Sequence, residues 1–246
     1  MSGLVLRLGG PLQSWGEHSA FTDRDTQRFP TRSGLIGLFA GAHGMRRGED
    51  LSRFDDLAFT IRIDRPGIPT MDFHTVGGGR ARHQTVPTAE GGRRSVETAT
   101  IVTRRHYLAD AVFIVGVSGP KDTIDTLAER LEQPCWQPYL GRRSCPPDPP
   151  LLLRRVQDPF VELAERVPVC RTYQEGAQVD FVREGTHSEA ASVAELADVP
   201  VSFTPLERRY RLRTVSITPL SVPQDLWLGR GRKYQDALFN YAGGTP

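Results

Sequence analysis

Three stretches of this 246-residue sequence carry side chains suited to gripping an anion. The first is GPLQSW at Gly10–Trp15, followed by RDTQRFPTRSGLIG at Arg24–Gly37. Arg24, Arg28 and Arg32 recur every fourth residue, but Pro30 forbids one continuous helix that would align them. Arg32 and Ser33 open an apolar segment that reads as a helix. Free N–H groups and the dipole at such a start favour an anion; equally, Ser33 merely caps and Arg32 is solvated. The second stretch is LGRRSCP at 140–146. Gly141 lets the backbone approach an oxyanion while Arg142, Arg143 and Ser144 close on it. The alternative is a surface turn with two solvated arginines. The third is the Gly-rich insertion 77–105, with four arginines between 80 and 94 and Arg104-Arg105 at its base. It suits draping over an RNA backbone, or it is a disordered charged loop.

The charge pattern supports the polyanion. Net charge is only +2, yet residues 77–108 carry six Arg against two acids, and residues 156–200 carry nine acids against three Arg. The basic residues are 29 Arg and only two Lys. A guanidinium fork binds two phosphate oxygens at once and stacks on bases. A GC-rich genome would also raise the Arg share, but it would not cluster the arginines.

Other chemistries find less support. At 38% hydrophobic and 24% charged, the chain reads as globular, with one large domain or two small ones. No apolar run approaches the ~20 residues of a membrane span, and MSGLVLRLGG lacks the pattern of a signal peptide. Cys135, Cys145 and Cys170 have no CxxC spacing, which argues against a zinc site and for a reducing cytoplasm. Asp23/Asp25 and Asp55-Asp56 have no histidine at ligand spacing, so no metal is expected. Gly77-Gly78-Gly79 lacks the GK[ST] end of a phosphate loop, and no cofactor is expected.

The elements that must position these residues follow from periodicity. Gly3–Leu8 reads as a strand. Residues 12–30 read as a long ordered loop. A helix capped by Thr31 or Ser33 covers 34–43, and close packing against a sheet would explain its glycines. Residues 50–57 read as a short helix and 58–63 as a strand. A protruding hairpin then precedes the apolar strand 111–117. An amphipathic helix with an Asp122 cap covers 122–131, and 208–218 alternates as a strand with Tyr210, Leu212, Val215 and Ile217 as apolar contacts. Residues 158–200 are acidic and resist assignment. The order gives an α+β, βαββαβ scheme, which by itself says nothing about function.

The strand followed by GPLQSWG, then RFPTRSGLIGL, a DFHTV segment and PYLGRRSCP, in that order, resembles the CasD family over about residues 3–222. This is the type I-E branch of the fifth CRISPR-associated protein family. The resemblance implies a non-catalytic, RNA-binding subunit of the Cascade surveillance complex. It implies a ferredoxin-like (RRM-like) palm over 1–222, interrupted by a β-hairpin thumb at about 73–108, with the tail 223–246 unexplained. The palm would hold the 5′ handle of the CRISPR RNA. The thumb would reach over the guide beside the first CasC backbone subunit and displace a base, capping the filament. CasA would dock nearby, and target DNA would be met through the complex. On this template Gln13, Trp15, Arg24, Arg28, Arg32, Ser33, Gly141, Arg142, Arg143 and Ser144 bind RNA; His74, Arg80, Arg104 and Arg105 serve the thumb. Trp15 and Phe29 are either stacking platforms or core.

The rival is a metal-independent endoribonuclease that cuts the CRISPR precursor. Such a reaction needs a base, an acid and a cation. The histidines available are His18, His43, His74, His83, His106 and His187, of which His106 beside Tyr107 is the most suggestive.

Overall fold

The computed structural model describes residues 2–17, 19–20, 22–88, 91–204 and 208–243. In chain order the strands are β1 (Ser2–Gly9), β2 (Leu12–Gln13), β3 (Ser19–Ala20), β4 (Asp23–Arg24), β5 (Ala58–Arg65), β6 (Ile68–Val76), β7 (Ile101–Ala109), β8 (Val112–Gly119), β9 (Leu152–Val156), β10 (Val179–Glu184), β11 (Ser192–Phe203) and β12 (Arg208–Leu220). The α-helices are α1 (Arg32–Ala42), α2 (Lys121–Glu132), α3 (Pro159–Glu165) and α4 (Arg232–Gly243). The fold is mixed α+β, built on antiparallel pairing.

Seven strands form one antiparallel sheet in the order β11-β12-β10-β5-β8-β1-β9. Its centre is apolar on both faces. Leu4, Leu6 and Leu8 of β1 pack with Phe113, Val115 and Val117 of β8 beneath α1 and α2. Val5 and Ile114 point the other way, into a second core with Leu163 of α3 and Tyr234 and Leu238 of α4. A strand covered on both faces has no polar alternation, so GLVLRL reads as an apolar run interrupted only by Arg7. The tail is part of this architecture: Trp227, Tyr234 and Leu238 are buried, and Tyr241 donates its hydroxyl to Glu162 at 2.8 Å.

Several local expectations change. The segment 12–30 is not only loop; β2, β3 and β4 join it to a second sheet. Thr31 caps α1, its Oγ1 accepting the Gly34 N–H at 3.3 Å. Gly34 is required by Trp15 rather than by a sheet: a Cβ there would lie 2.7 Å from the indole, whereas Gly37 and Gly41 face open space. The helix expected over 50–57 is a single 3₁₀ turn, Ser52–Phe54. Asp122 lies in the first turn of α2, behind Pro120 at the cap position. Leu212 is 67% exposed, whereas Tyr210 is part-buried against Phe203, and Val215 and Ile217 join the core.

The insertion is an antiparallel hairpin of β6 and β7, in register from Ile68↔Ala109 to Val76↔Ile101. It therefore starts five residues before the expected boundary at 73. Its tip has order of its own: Thr85 is buried, and its hydroxyl lies within hydrogen-bond distance of Arg94 O at 2.7 Å and Arg82 O at 2.9 Å.

Candidate nucleic-acid interface

Three expected contact residues turn inward. Gln13 is fully buried, its Nε2 donating to Leu8 O and Ala111 O at 2.9 Å and its Oε1 accepting from Trp15 Nε1 at 3.1 Å. Trp15 is also fully buried, and Phe29 nearly so, so neither presents a face to a base. Arg32 is a rivet. Its N–H donates to Asp198 at 2.7 Å, and its guanidinium donates to Leu57 O, Phe54 O, Asp55 O and Glu184. Both terminal nitrogens are thus engaged inside the fold, and no fork remains for a phosphate. Ser33, beside the cap, contacts Thr31 Oγ1 at 3.4 Å.

The other segments converge on β7. On one edge β7 carries the whole of β6; on the other it pairs with β2 at 108–109 and, in parallel, with β4 at Arg104–Arg105. Ser14 links two of the pieces: its N–H donates to Leu140 O at 3.1 Å and its Oγ to His106 O at 3.0 Å. Arg142 completes the seam. Its Nη2 donates to Arg24 O at 2.9 Å and Asp25 O at 3.3 Å, and its guanidinium lies 4.7 Å from the Tyr107 ring centroid. Its Nη1 is buried with no hydrogen-bond partner among the described residues.

The seam has a consistent polarity. Its acids have partners of their own: half-exposed Asp23 lies 3.2 Å from His106 Nε2, and Asp25 accepts the Glu17 N–H at 3.2 Å. Arg24, Arg28, Arg104 and Arg143 make no ion pair among the described residues, and Arg28, Arg104 and Arg143 are exposed. Among the described residues, the Arg105 guanidinium hydrogen-bonds only Thr103 Oγ1, at 3.1 Å. Exposed Ser144 touches Cys145 Sγ at 3.8 Å; burial pushes that thiol up, away from thiolate character. The seam thus mixes exposed guanidinium groups that lack ion pairs with two carboxylates, Asp23 and Asp25, that have partners of their own.

On the hairpin, His74 and Asp72 are half-exposed and 3.4 Å apart, and Arg80 is exposed near the tip. One exposed aromatic escaped the sequence reading. Phe73 is 62% exposed and stands directly opposite Arg104, with Met71 (52% exposed) two residues away on the same face. The alternation of Met71 and Phe73 within PTMDFHT was the available signal. His18 lies outside the described residues. Among those described, no group of three His, Cys, Asp or Glu is arranged to hold a metal, and no helix is long and apolar enough to cross a membrane.

Fold and seam together define a class: an α+β protein whose inserted hairpin is rooted in an arginine-lined surface. Known proteins sharpen this. Residues 3–216 match the family described as CRISPR-associated protein (Cas_Cas5). The "CRISPR system Cascade subunit CasD" of Escherichia coli (strain K12) is 38% identical over 183 residues, spanning 68% of this chain and 77% of the relative. A chain of a solved "CRISPR RNA-guided surveillance complex" is 53% identical, covers 98% of this chain and 99% of its own, and superposes with a TM-score of 0.85. A second solved structure, "Crystal structure of Cas protein", is 28% identical over 93% of this chain and 98% of its own, with a TM-score of 0.65. The chain belongs to the Cas5 family of CRISPR-associated proteins.

Proposed function

We propose that the protein is a non-catalytic, cytoplasmic, RNA-binding subunit of a type I-E Cascade complex that holds the 5′ handle of the CRISPR RNA. The observation that carries this reading is Arg142. It ties the Gly141–Cys145 turn to the Arg24–Asp25 backbone and leaves Arg28, Arg104 and Arg143 exposed around the seam without ion pairs. A single-stranded handle is held by such phosphate clamps with a few stacking contacts. The strand order β9-β1-β8-β5, with α1 and α2 over one face, supports a ferredoxin-like palm within residues 1–222. The β6–β7 hairpin serves as the thumb and presents Phe73, His74, Arg80 and Arg104 to the guide and the first CasC subunit. CasA and the target DNA are met through the assembled complex.

The test uses Arg28→Ala with Arg143→Ala, two exposed side chains without structural bonds. Affinity for repeat-derived RNA should fall, and the salt slope should flatten by about 1.4, at ~0.7 per lost phosphate contact. Wild-type affinity and slope in that variant would remove the reading. One geometry favours the endoribonuclease alternative: His106 beside Asp23, with Arg105 adjacent. Against it, the neighbouring Tyr107 is buried beneath Arg142 and is not presented as a proton donor. Incubation with repeat RNA in EDTA separates the two, since protection without cleavage supports the scaffold and cleavage supports the enzyme.

A further inference from the structure

The described residues contain three buried arginines, Arg7, Arg32 and Arg62. Arg32 is paired with Glu184 and Arg62 with Asp64. Arg7 has no carboxylate partner among the described residues. It is 9% exposed, and its hydrogen bonds are long and to neutral groups: Nε to the Tyr234 hydroxyl and Nη1 to Asp148 O, both at 3.3 Å. A buried cation without a counter-charge is costly, so its surroundings ask for an anion.

Arg7 lines a cavity of about 290 Å³ on the face of the sheet that carries α4. Arg65 and Arg230 line it too, and both direct their guanidinium groups to the same atom, Asp110 Oδ2. One carboxylate at the mouth is thus shared by two cations, while the third cation has none. Asp148 is the other acid in the wall; only its backbone oxygen meets Arg7. Gly231, Tyr234 and Gln235, around the first turn of α4, complete the wall, and a helix start adds partial positive charge. Asp110 holds φ +58, the only positive φ of a non-glycine among the described residues, so the acid is kept at the mouth by an uncommon backbone state. The cavity is walled partly by the tail beyond residue 222 and shares no arginine with the RNA seam.

We infer that this cavity is a second anion site, one that takes a phosphate group between Arg7, Arg65 and Arg230. Three guanidinium forks around a space of this size match the several oxygens of phosphate. The phosphate belongs either to a nucleic acid or to a small free anion, and the chemistry of recognition is the same. Occupation would give Arg7 its missing partner and relieve the competition for Asp110.

The test titrates inorganic phosphate into the full chain at constant ionic strength, followed by calorimetry and by the phosphorus NMR line. Saturable one-to-one binding is expected, weakened about tenfold or more in Arg230→Ala, the loss of one charged hydrogen bond. Arg230 is two-thirds exposed and can be changed without touching the core. Arg7→Met should abolish binding; should that variant fail to fold, Arg230→Ala alone decides. An absence of saturable binding, or wild-type affinity in Arg230→Ala, overturns the site. A 5′-phosphorylated RNA oligonucleotide and its 5′-hydroxyl counterpart then compete with the phosphate. Displacement by the first alone names a terminal phosphate, displacement by both a backbone phosphate, and displacement by neither a free anion; each of these supports the site. The failure of this proposal leaves the RNA seam untouched, because the two use different side chains.

Discussion

A Cβ on Gly141 would lie 1.7 Å from the carbonyl oxygen of Ser14. Gly141 also holds φ +81, a left-handed state that other residues enter at a cost. Ser14 in turn bonds Leu140 and His106 through its N–H and hydroxyl. One glycine thus allows the first loop, the root of the hairpin and the LGRRSC turn to meet. The left-handed backbone alone should cost Gly141→Ala about 1–2 kcal/mol, and the backbone clash adds to it by prising the seam apart. At about 2–4 °C per kcal/mol for a chain of this size, Tm should fall by several degrees. RNA affinity should fall too, measured well below the variant's midpoint. An unchanged Tm would mean the close approach is not kept in solution.

Arg32 and Arg143 come from motifs that look alike on paper and should behave in opposite ways. Arg32 is 6% exposed and spends its donors on three carbonyls and Glu184. Its removal leaves those acceptors buried and unmet, with Asp198 and Arg213 close by. Arg32→Ala should therefore destabilise the fold by about 3–5 kcal/mol, the cost of breaking a buried pair. Arg143→Ala should leave stability within about 0.5 kcal/mol of wild type and lower RNA affinity. Chemical denaturation and filter binding on the two variants decide this. A soluble, stable Arg32→Ala with a pure RNA defect would return Arg32 to the interface.

This contrast also explains how far the sequence could be read. The strands β1 and β8 were legible as apolar runs buried on both faces, β5 by its alternation, α1 as a capped apolar segment and α2 by its amphipathic period. β10 and β11 were not. They lie in an acidic stretch whose charges are used internally, as when Asp198 accepts Arg213 and the Arg32 N–H. The seam was legible only as separate arginine segments; the fold ties Arg142 to the Arg24 carbonyl and sets Arg24 beside Arg105. What the sequence cannot give is direction. Whether an arginine at a helix start faces solvent or a distant carboxylate depends on an acid 166 residues away. Trp15 shows the same ambiguity, and Gly34, closely packed against it, was the unread clue.

His43 ends α1 with its Nδ1 2.8 Å from Phe39 O and its ring edge-on to Phe54 at 5.4 Å. Burial, reinforced by Arg53 and Arg130, pushes its pKa below the ordinary 6.5. A lowered histidine pKa means the folded state takes up its proton later than the unfolded chain. Stability from this site is therefore intact above pH 6.5 and is lost as pH falls below it towards the folded pKa. His43→Gln should remove that part of the acid slope while leaving stability near neutral pH within about 1 kcal/mol. Denaturant midpoints across the range from neutral to mildly acid check it; an identical slope in both proteins would discard His43 as the source.

Phe73 offers the sharpest test of the hairpin. It is 62% exposed, stands on a ribbon two strands wide, and faces Arg104 across the register. Nothing in the fold depends on it, so Phe73→Ala should leave Tm unchanged. Stacking on an aromatic contributes about 1–3 kcal/mol per base, so the same substitution should weaken RNA binding by roughly five- to a hundredfold. Phe73→Trp should retain affinity and Phe73→Leu should not, because leucine keeps the apolar area but loses the flat face. If leucine rescues as well as tryptophan, the side chain meets an apolar protein surface instead of a base. The hairpin then acts through a neighbouring subunit, and Phe73→Ala should show its defect in complex assembly while free RNA binds normally.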